Sequence, residues 1–294
     1  MDRYAQNFWS TYEAAAAKRI KGHTMTIGIA AICNNHRTII FAADRLGISK
    51  RYLKQDAGCK IIAGSRFVML GAGNADDNAN IIDRIINKHN SLEDLGEECA
   101  LEIRALLRKK KRNVFNKTGF DFDWFTDRME NAKFSLVKNI LLGNLRATVF
   151  QPVLTEMAQV TANIHIIIGG ISGNCAKIGY AEEPGIIEWC NRKRPFHAVG
   201  IAAERAAESL IIHKHSADDD VATALFNVYA SKRESEATLG VGHETDMAIL
   251  DIDNQGATFV NDDVVSVLSD EYERTHLATV DYKKIKTALE GAKT

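Results

Sequence analysis

Apolar and polar residues follow two rhythms along this chain, and together they predict most of its elements. Thr26–Cys33 and Thr38–Ala43 are apolar runs joined by the polar turn Asn34–Arg37, the pattern of a β-hairpin. Cys59–Ala63 and Arg66–Ala72, parted by Gly64 and Ser65, predict a second hairpin. A helical rhythm follows, with Ala75, Ala79, Ile82, Ile85 and Ile86 on one face of Ala75–Asn90. Ser91–Arg112 opens on a capping pattern, Ser91 and then Asp94 three residues on.

Strands resume at Asn163–Ile171, Ala176–Ala181, Gly185–Cys190 and Phe196–Gly200. Helices are expected over Ile201–His215 and Asp218–Arg233, then strands over Met247–Asp253 and Ala257–Val260. Val264–His276 and Asp281–Ala292 read as helices of a tail. At the other end, Tyr4, Phe8, Tyr12, Ala16 and Ile20 recur at a four-residue interval, an apolar stripe on a helix stopped by Gly22. Lys117–Asp127 is an aromatic and acidic patch that reads either as a partner or site-shielding surface or as a local mini-core. Arg128–Val160 is expected to be mostly helix. The organisation expected is an N-terminal helical extension or propeptide (1–25), one domain over 26–262 with an insertion around 113–160, and a helical tail (263–294).

Composition narrows the function classes. The chain has 294 residues, of which 46% are hydrophobic, enough for a sizeable core. A net charge of −1 suggests neither nucleic acid nor an acidic membrane surface as partner. The basic run Arg108–Arg112 suits the end of a helix, where cations meet the dipole. No apolar run approaches the roughly 20 residues that span a bilayer, and the N-terminus lacks the apolar stretch of a secretory signal. Five cysteines without CxxC spacing fit a reducing compartment and argue against a zinc site, so a cytoplasmic protein is expected. His213 and His215 are two apart on a helix and face different directions, a poor metal pair.

Chemistry concentrates between Thr24 and Asp77. Asp44 lies just beyond one strand, Lys60 inside another and Gly73 at a strand-to-helix junction. If the strand ends fold together, a hydroxyl, a carboxylate, an ammonium and a backbone N–H converge. These residues resemble the opening of a proteasome β-type subunit, an N-terminal-nucleophile hydrolase, and the resemblance extends more weakly over about residues 24–253. Counting back from Asp44 without an insertion reaches Gly28, which has no hydroxyl. Two extra residues in the Asn34–Arg37 turn bring Thr26 to the first position, and Thr24 would need a longer insertion.

The resemblance implies an α+β fold, a four-layer αββα sandwich, and a threonine-type hydrolase that cleaves a peptide or smaller amide through an ester on Thr26. A threonine hydroxyl needs an adjacent base, and a free α-amine, with a reference pKa of about 7.7–8.0, suits that work. Lys60 would lower the hydroxyl pKa, Asp44 would hold Lys60 charged, and the Gly73 N–H would face the oxyanion. Glu234 and Glu236 fall where the family carries an acid supporting the first residue, without the spacing deciding between them. Ile201 occupies a position where the family usually has serine, which removes the usual accessory hydrogen bonds. The Gly240-Val-Gly242 run resembles a family turn and makes no phosphate loop.

No cofactor and no metal are implied, and a homo-oligomeric ring is expected. The amine of Thr26 is freed either by removal of a propeptide, with autoprocessing, or by translation starting at Met25. Two other readings remain open: a non-catalytic α-like structural subunit that retains its N-terminal helix, and a hydrolase using Cys59 or Cys33.

Overall fold

The computed structural model of this chain describes residues 26–49, 52–54, 59–119, 122–123, 151–254, 256–275 and 282–291. The helix expected over 1–22, the alternative nucleophile Thr24 and much of the 113–160 insertion lie outside the described residues. Among the described residues the fold is mixed α and β, with two five-stranded antiparallel sheets and seven α-helices.

The first sheet has the order β10-β1-β2-β11-β12, built from Ile27–Cys33 (β1), Thr38–Asp44 (β2), Phe196–Gly200 (β10), Thr245–Asp251 (β11) and Ala257–Phe259 (β12). The second has the order β5-β6-β7-β8-β9, from Ile61–Ala63 (β5), Phe67–Gly73 (β6), Ile164–Ser172 (β7), Cys175–Glu182 (β8) and Ile186–Trp189 (β9). A small hairpin, Gly47–Ser49 (β3) with Tyr52–Lys54 (β4), lies between Asp44 and Lys60 in the chain. The sequence LGISKRYLK there starts an alternation with Leu46 and Ile48 but breaks it at the adjacent Tyr52 and Leu53, so it announces no strand.

Cys33 pairs with Thr38, so four residues close the β1–β2 hairpin, and Asn34, Asn35 and His36 all take left-handed φ of 52°, 54° and 63°. Asn and His are among the non-glycine residues that tolerate this region.

Helices Ala75–Ile85 (α1) and Leu92–Phe115 (α2) follow β6. Each begins on a side-chain cap: Asn74 accepts the N–H of Asp77, and Ser91 accepts that of Asp94 at 3.0 Å. Gln151–Ala158 (α3) precedes β7. Ala203–Ile212 (α4) and Val221–Ser235 (α5) stand between β10 and β11, and Asp262–Thr275 (α6) and Tyr282–Gly291 (α7) close the chain.

Burial sorts these elements into three main apolar clusters. Ile27, Ile29, Ile40 and Ala42 of the first sheet pack with Leu210, Leu225, Phe226, Leu268 and Ile285 of α4 to α7. Ala30, Phe41, Val68, Leu70, Ile167 and Ala248 belong to both sheets and form the cluster between them. Met69, Ile166 and Ile168 pack with Ile81, Ile85, Leu95 and Ile103 of α1 and α2. The alternation along β1 decides this: Ile27 and Ile29 point to the helices, Ala30 and Ile32 to the other sheet. Of the aromatic and acidic patch, Phe122 meets Phe115 of α2 edge-on at 5.7 Å beside Val153, Leu154 and Met157 of α3, and most of the rest lies outside the described residues.

Candidate active site

Thr26 immediately precedes β1 and is 4% exposed. Its carbonyl accepts the Ile201 N–H at 3.0 Å. This closeness requires Gly200, where φ is +104° and an added Cβ would sit 2.0 Å from the Thr26 oxygen. The end of β10 therefore fixes the start of β1, through the Ile27–Gly200 pair. Ile201 itself is exposed, and its side chain supplies no hydroxyl to the site.

Asp44 is the last residue of β2 and is fully buried. Its Oδ1 accepts the Thr26 hydroxyl at 2.5 Å and the Ile27 N–H at 3.0 Å, and its Oδ2 accepts the Gly242 N–H at 3.0 Å. Lys60 stands just before β5. Its ammonium donates to Asp44 Oδ1 at 2.6 Å, to the Leu46 carbonyl at 2.6 Å and, by a short contact, to Thr26 Oγ. All three ammonium protons thus have acceptors. Burial pulls the Lys60 pKa below the ordinary lysine value, and the charge and hydrogen bond of Asp44 oppose that fall. A lysine so placed stays close to a hydroxyl and can hold negative charge that develops on it.

Of the residues expected at the site, the structure brings Thr26, Asp44 and Lys60 into one hydrogen-bonded group. Gly73 ends β6, as the sequence suggested, with φ +103°. Among the described residues no hydrogen bond joins it to the trio. Its strand approaches through Leu70, whose side chain fills the space over Gly28, where an added Cβ would lie 2.0 Å from Cδ2. The two glutamates separate. Glu236 pairs with buried Lys232 at 2.7 Å, whereas Glu234 turns to His213 at 3.2 Å. His215 binds the Ile32 carbonyl at 3.0 Å, so the two histidines have different partners.

Neither cysteine considered as a nucleophile is activated. Burial pushes the Cys59 thiol up to about 11, and Cys33 is buried and raised further. Among the described residues no cluster of three His, Cys, Asp or Glu side chains could hold a metal. None of the helices there is long and apolar enough to cross a membrane.

Sequence reasoning missed Gly242, Leu46 and Lys232. Gly242 was read only as part of a turn, yet its amide reaches Asp44, and an added Cβ would meet Leu46 Cβ at 2.6 Å. The available signal was its position three residues before Thr245, which opens the strand that pairs with β2 and stands opposite Asp44.

The fold, taken without this group, resembles that of proteasome-like proteins. Among the solved structures that resemble the chain are two of Anbu. One is the Anbu (Gly-1) mutant from Hyphomicrobium sp. strain MC1, with a TM-score of 0.56 and 14% identity over 87% of this chain and 98% of that one. The other is Anbu (ancestral beta-subunit) from Yersinia bercovieri, with a TM-score of 0.58 and 12% identity over 85% and 95% of the respective chains. At these identities the likeness establishes the fold alone. No protein-family model matches the chain, and no curated protein matches it.

These neighbours correct the resemblance drawn from sequence. The similar structures are Anbu, a proteasome-like family related to proteasome β subunits yet distinct from them. The reason is geometric. The spacing of Thr26, Asp44, Lys60 and Gly73 follows from strand ends in a shared fold, so it cannot separate one family on that fold from another.

Proposed function

We propose that this protein is an N-terminal-nucleophile hydrolase of threonine type, with a four-layer αββα arrangement, acting on an amide through Thr26. The observation that carries the reading is the single hydrogen-bonded group of Thr26 Oγ, Lys60 Nζ and Asp44 Oδ1 at the start of β1. A merely structural threonine does not need a largely buried ammonium aimed at its oxygen.

In the 294-residue chain the Thr26 nitrogen is bonded to Met25, so activity requires that bond to be absent. The freed α-amine then takes the hydroxyl proton while Oγ attacks the amide carbon. Lys60 stabilises the oxygen as charge develops, and Asp44 fixes the ammonium. The tetrahedral intermediate expels the amine with the proton held by the Thr26 nitrogen, leaving an ester on Oγ. Water, deprotonated by the same amine, hydrolyses the ester and releases the acid. Gly73 is the proposed oxyanion donor; losing such a donor typically costs about 3–4 kcal/mol.

The test is intact mass with N-terminal sequencing of the purified protein, beside Thr26→Ala, before and after exposure to a β-lactone. A chain starting at Thr26 that gains the lactone mass once, with no gain in the variant, supports the reading. A chain that keeps residues 1–25 and gains nothing defeats it and leaves a non-catalytic scaffold.

A further inference from the structure

A second buried lysine stands behind the site. Lys232 lies on α5 and is fully buried. Its ammonium donates to Glu236 Oε1 at 2.7 Å and to the His243 carbonyl at 2.6 Å. Glu236, with its side chain 8% exposed, also receives Arg233 at 3.0 Å and the His243 ring at 2.7 Å. His243 is therefore held twice, at its carbonyl by Lys232 of α5 and at its ring by Glu236, the residue that caps the end of α5. The residue before it is Gly242, whose N–H is the sole donor recorded on Asp44 Oδ2 among the described residues.

An ammonium taken out of water costs several kcal/mol unless its partners are well placed. Burial lowers the Lys232 pKa, and Glu236 and then Asp44 oppose that shift. A leucine or methionine would fill such a position at no electrostatic cost. What the charge adds is a fixed turn between α5 and β11.

We propose that Lys232 is a positioning residue for the Thr26 site, clamping the Gly240–Glu244 turn so that the Gly242 amide stays on Asp44. The chain of contacts runs from Lys232 through His243 and Gly242 to Asp44, and from Asp44 to both Lys60 and Thr26. Releasing the turn frees Asp44 Oδ2, allows the carboxylate to rotate, and unsettles the Lys60 ammonium. This inference rests on the hydrolase reading for its catalytic consequence, but not for the clamp itself.

The decisive measurement is amide hydrogen exchange of the full chain for wild type, Lys232→Met and Glu236→Gln. Lys232→Met is expected to lower protection of the Gly242 amide by about tenfold or more while amides of β1 and β2 keep theirs. Glu236→Gln retains an acceptor for Lys232 and should give a smaller loss at the same amide; it decides the matter if Lys232→Met does not fold. Unchanged protection at Gly242, or a uniform loss across both sheets, overturns the proposal. In the chain starting at Thr26, lactone acylation should slow about tenfold in Lys232→Met with the half-saturating concentration within about twofold. If wild type does not acylate, the hydrolase reading fails while the exchange result still decides the clamp.

Discussion

Replacing Asp44 by asparagine tests the centre of the site with almost no change of shape. The carboxylate accepts three donors at Oδ1, from Thr26, Ile27 and Lys60, and one at Oδ2, from Gly242. An amide cannot satisfy this set. With its oxygen toward Lys60, its NH₂ faces the Gly242 N–H; flipped, its NH₂ faces the other three donors. One buried donor left unpaired costs about 1–3 kcal/mol. The ammonium of Lys60, 18% exposed in its side chain, also loses its counter-charge, and breaking a buried pair costs about 3–5 kcal/mol. The two effects overlap, so the expected loss near neutral pH is about 3–5 kcal/mol.

The pH dependence separates charge from shape. Lys60 is already lowered in the folded protein, and removing Asp44 lowers it further. An unfolded lysine binds its proton up to about pH 10.4, so between the folded and unfolded values the unfolded state holds more protons and stability rises with pH. The variant has the wider window. Its deficit against wild type should therefore shrink between pH 7 and 10. Urea unfolding at both pH values reads this directly. A deficit below about 1 kcal/mol, or one that is flat with pH, would mean that Asp44 does not sustain the Lys60 charge.

Three further outcomes follow from the same geometry. If charged Lys60 assists Thr26, acylation should fall as pH rises through a midpoint below the ordinary lysine value of 10.5; a midpoint at or above it contradicts the buried setting. Gly200→Ala adds left-handed strain of about 1–3 kcal/mol and a Cβ 2.0 Å from the Thr26 oxygen, so it should lose more stability than Gly256→Ala, where φ is +115° and the space is open. A displacement of Thr26 of about 1 Å should also slow acylation about a hundredfold, and equal behaviour of the two variants would refute the close approach. His197 lies against Tyr180 at 4.0 Å, and burial, with Arg194, pushes its pKa down to about 4. Between pH 6.5 and 4 the unfolded state takes up the proton first, so stability falls as pH drops, by up to about 3 kcal/mol; His197→Gln should flatten that limb of the unfolding profile.

Much of the fold was legible because apolar alternation marks buried strands. β1, β2, β6 and β10 lie within a residue or two of where their runs predicted, and α2 begins at the capping residue Ser91. Trimming occurred where burial ends: the helix expected to Asn90 stops at Ile85, past which Asn87 and Lys88 face solvent. The hairpin of β3 and β4 carried no signal, since it lies outside the two apolar rhythms. At the site, the structure brings together Thr26, Asp44 and Lys60, which the resemblance names, although Lys60 was expected inside a strand and stands just before one. Gly242, Leu46 and Lys232 were not legible: the first and last acquire their roles through β11 pairing beside β2, and the Leu46 carbonyl acquires its role only where the chain brings Lys60 back to it. The choice between Glu234 and Glu236 also waited on the direction of α5, which turns one toward His213 and the other toward Lys232.

The frame that holds Thr26 occurs twice in this molecule, which bears on what the fold itself can explain. β10 ends on Gly200 and β6 on Gly73, with φ +104° and +103°. In each case an added Cβ would lie 2.0 Å from a carbonyl oxygen, that of Thr26 before β1 or of Asn163 before β7. The next residue donates to the same oxygen, Ile201 at 3.0 Å and Asn74 at 2.8 Å, and a helix follows. A carboxylate even recurs: Asp44 accepts the Ile27 N–H at the end of β2, and Glu183 accepts the Asn163 N–H at 2.6 Å just after β8. The second junction carries an asparagine in place of the hydroxyl, and among the described residues no lysine donates to Glu183. Strand–helix geometry thus makes the junction, and does so irrespective of chemistry. What distinguishes the Thr26 end is a hydroxyl, with an ammonium held against it at a cost in burial. Likeness of fold carries no more weight for one junction than for the other, so the case for catalysis stands on Lys60 and its three acceptors.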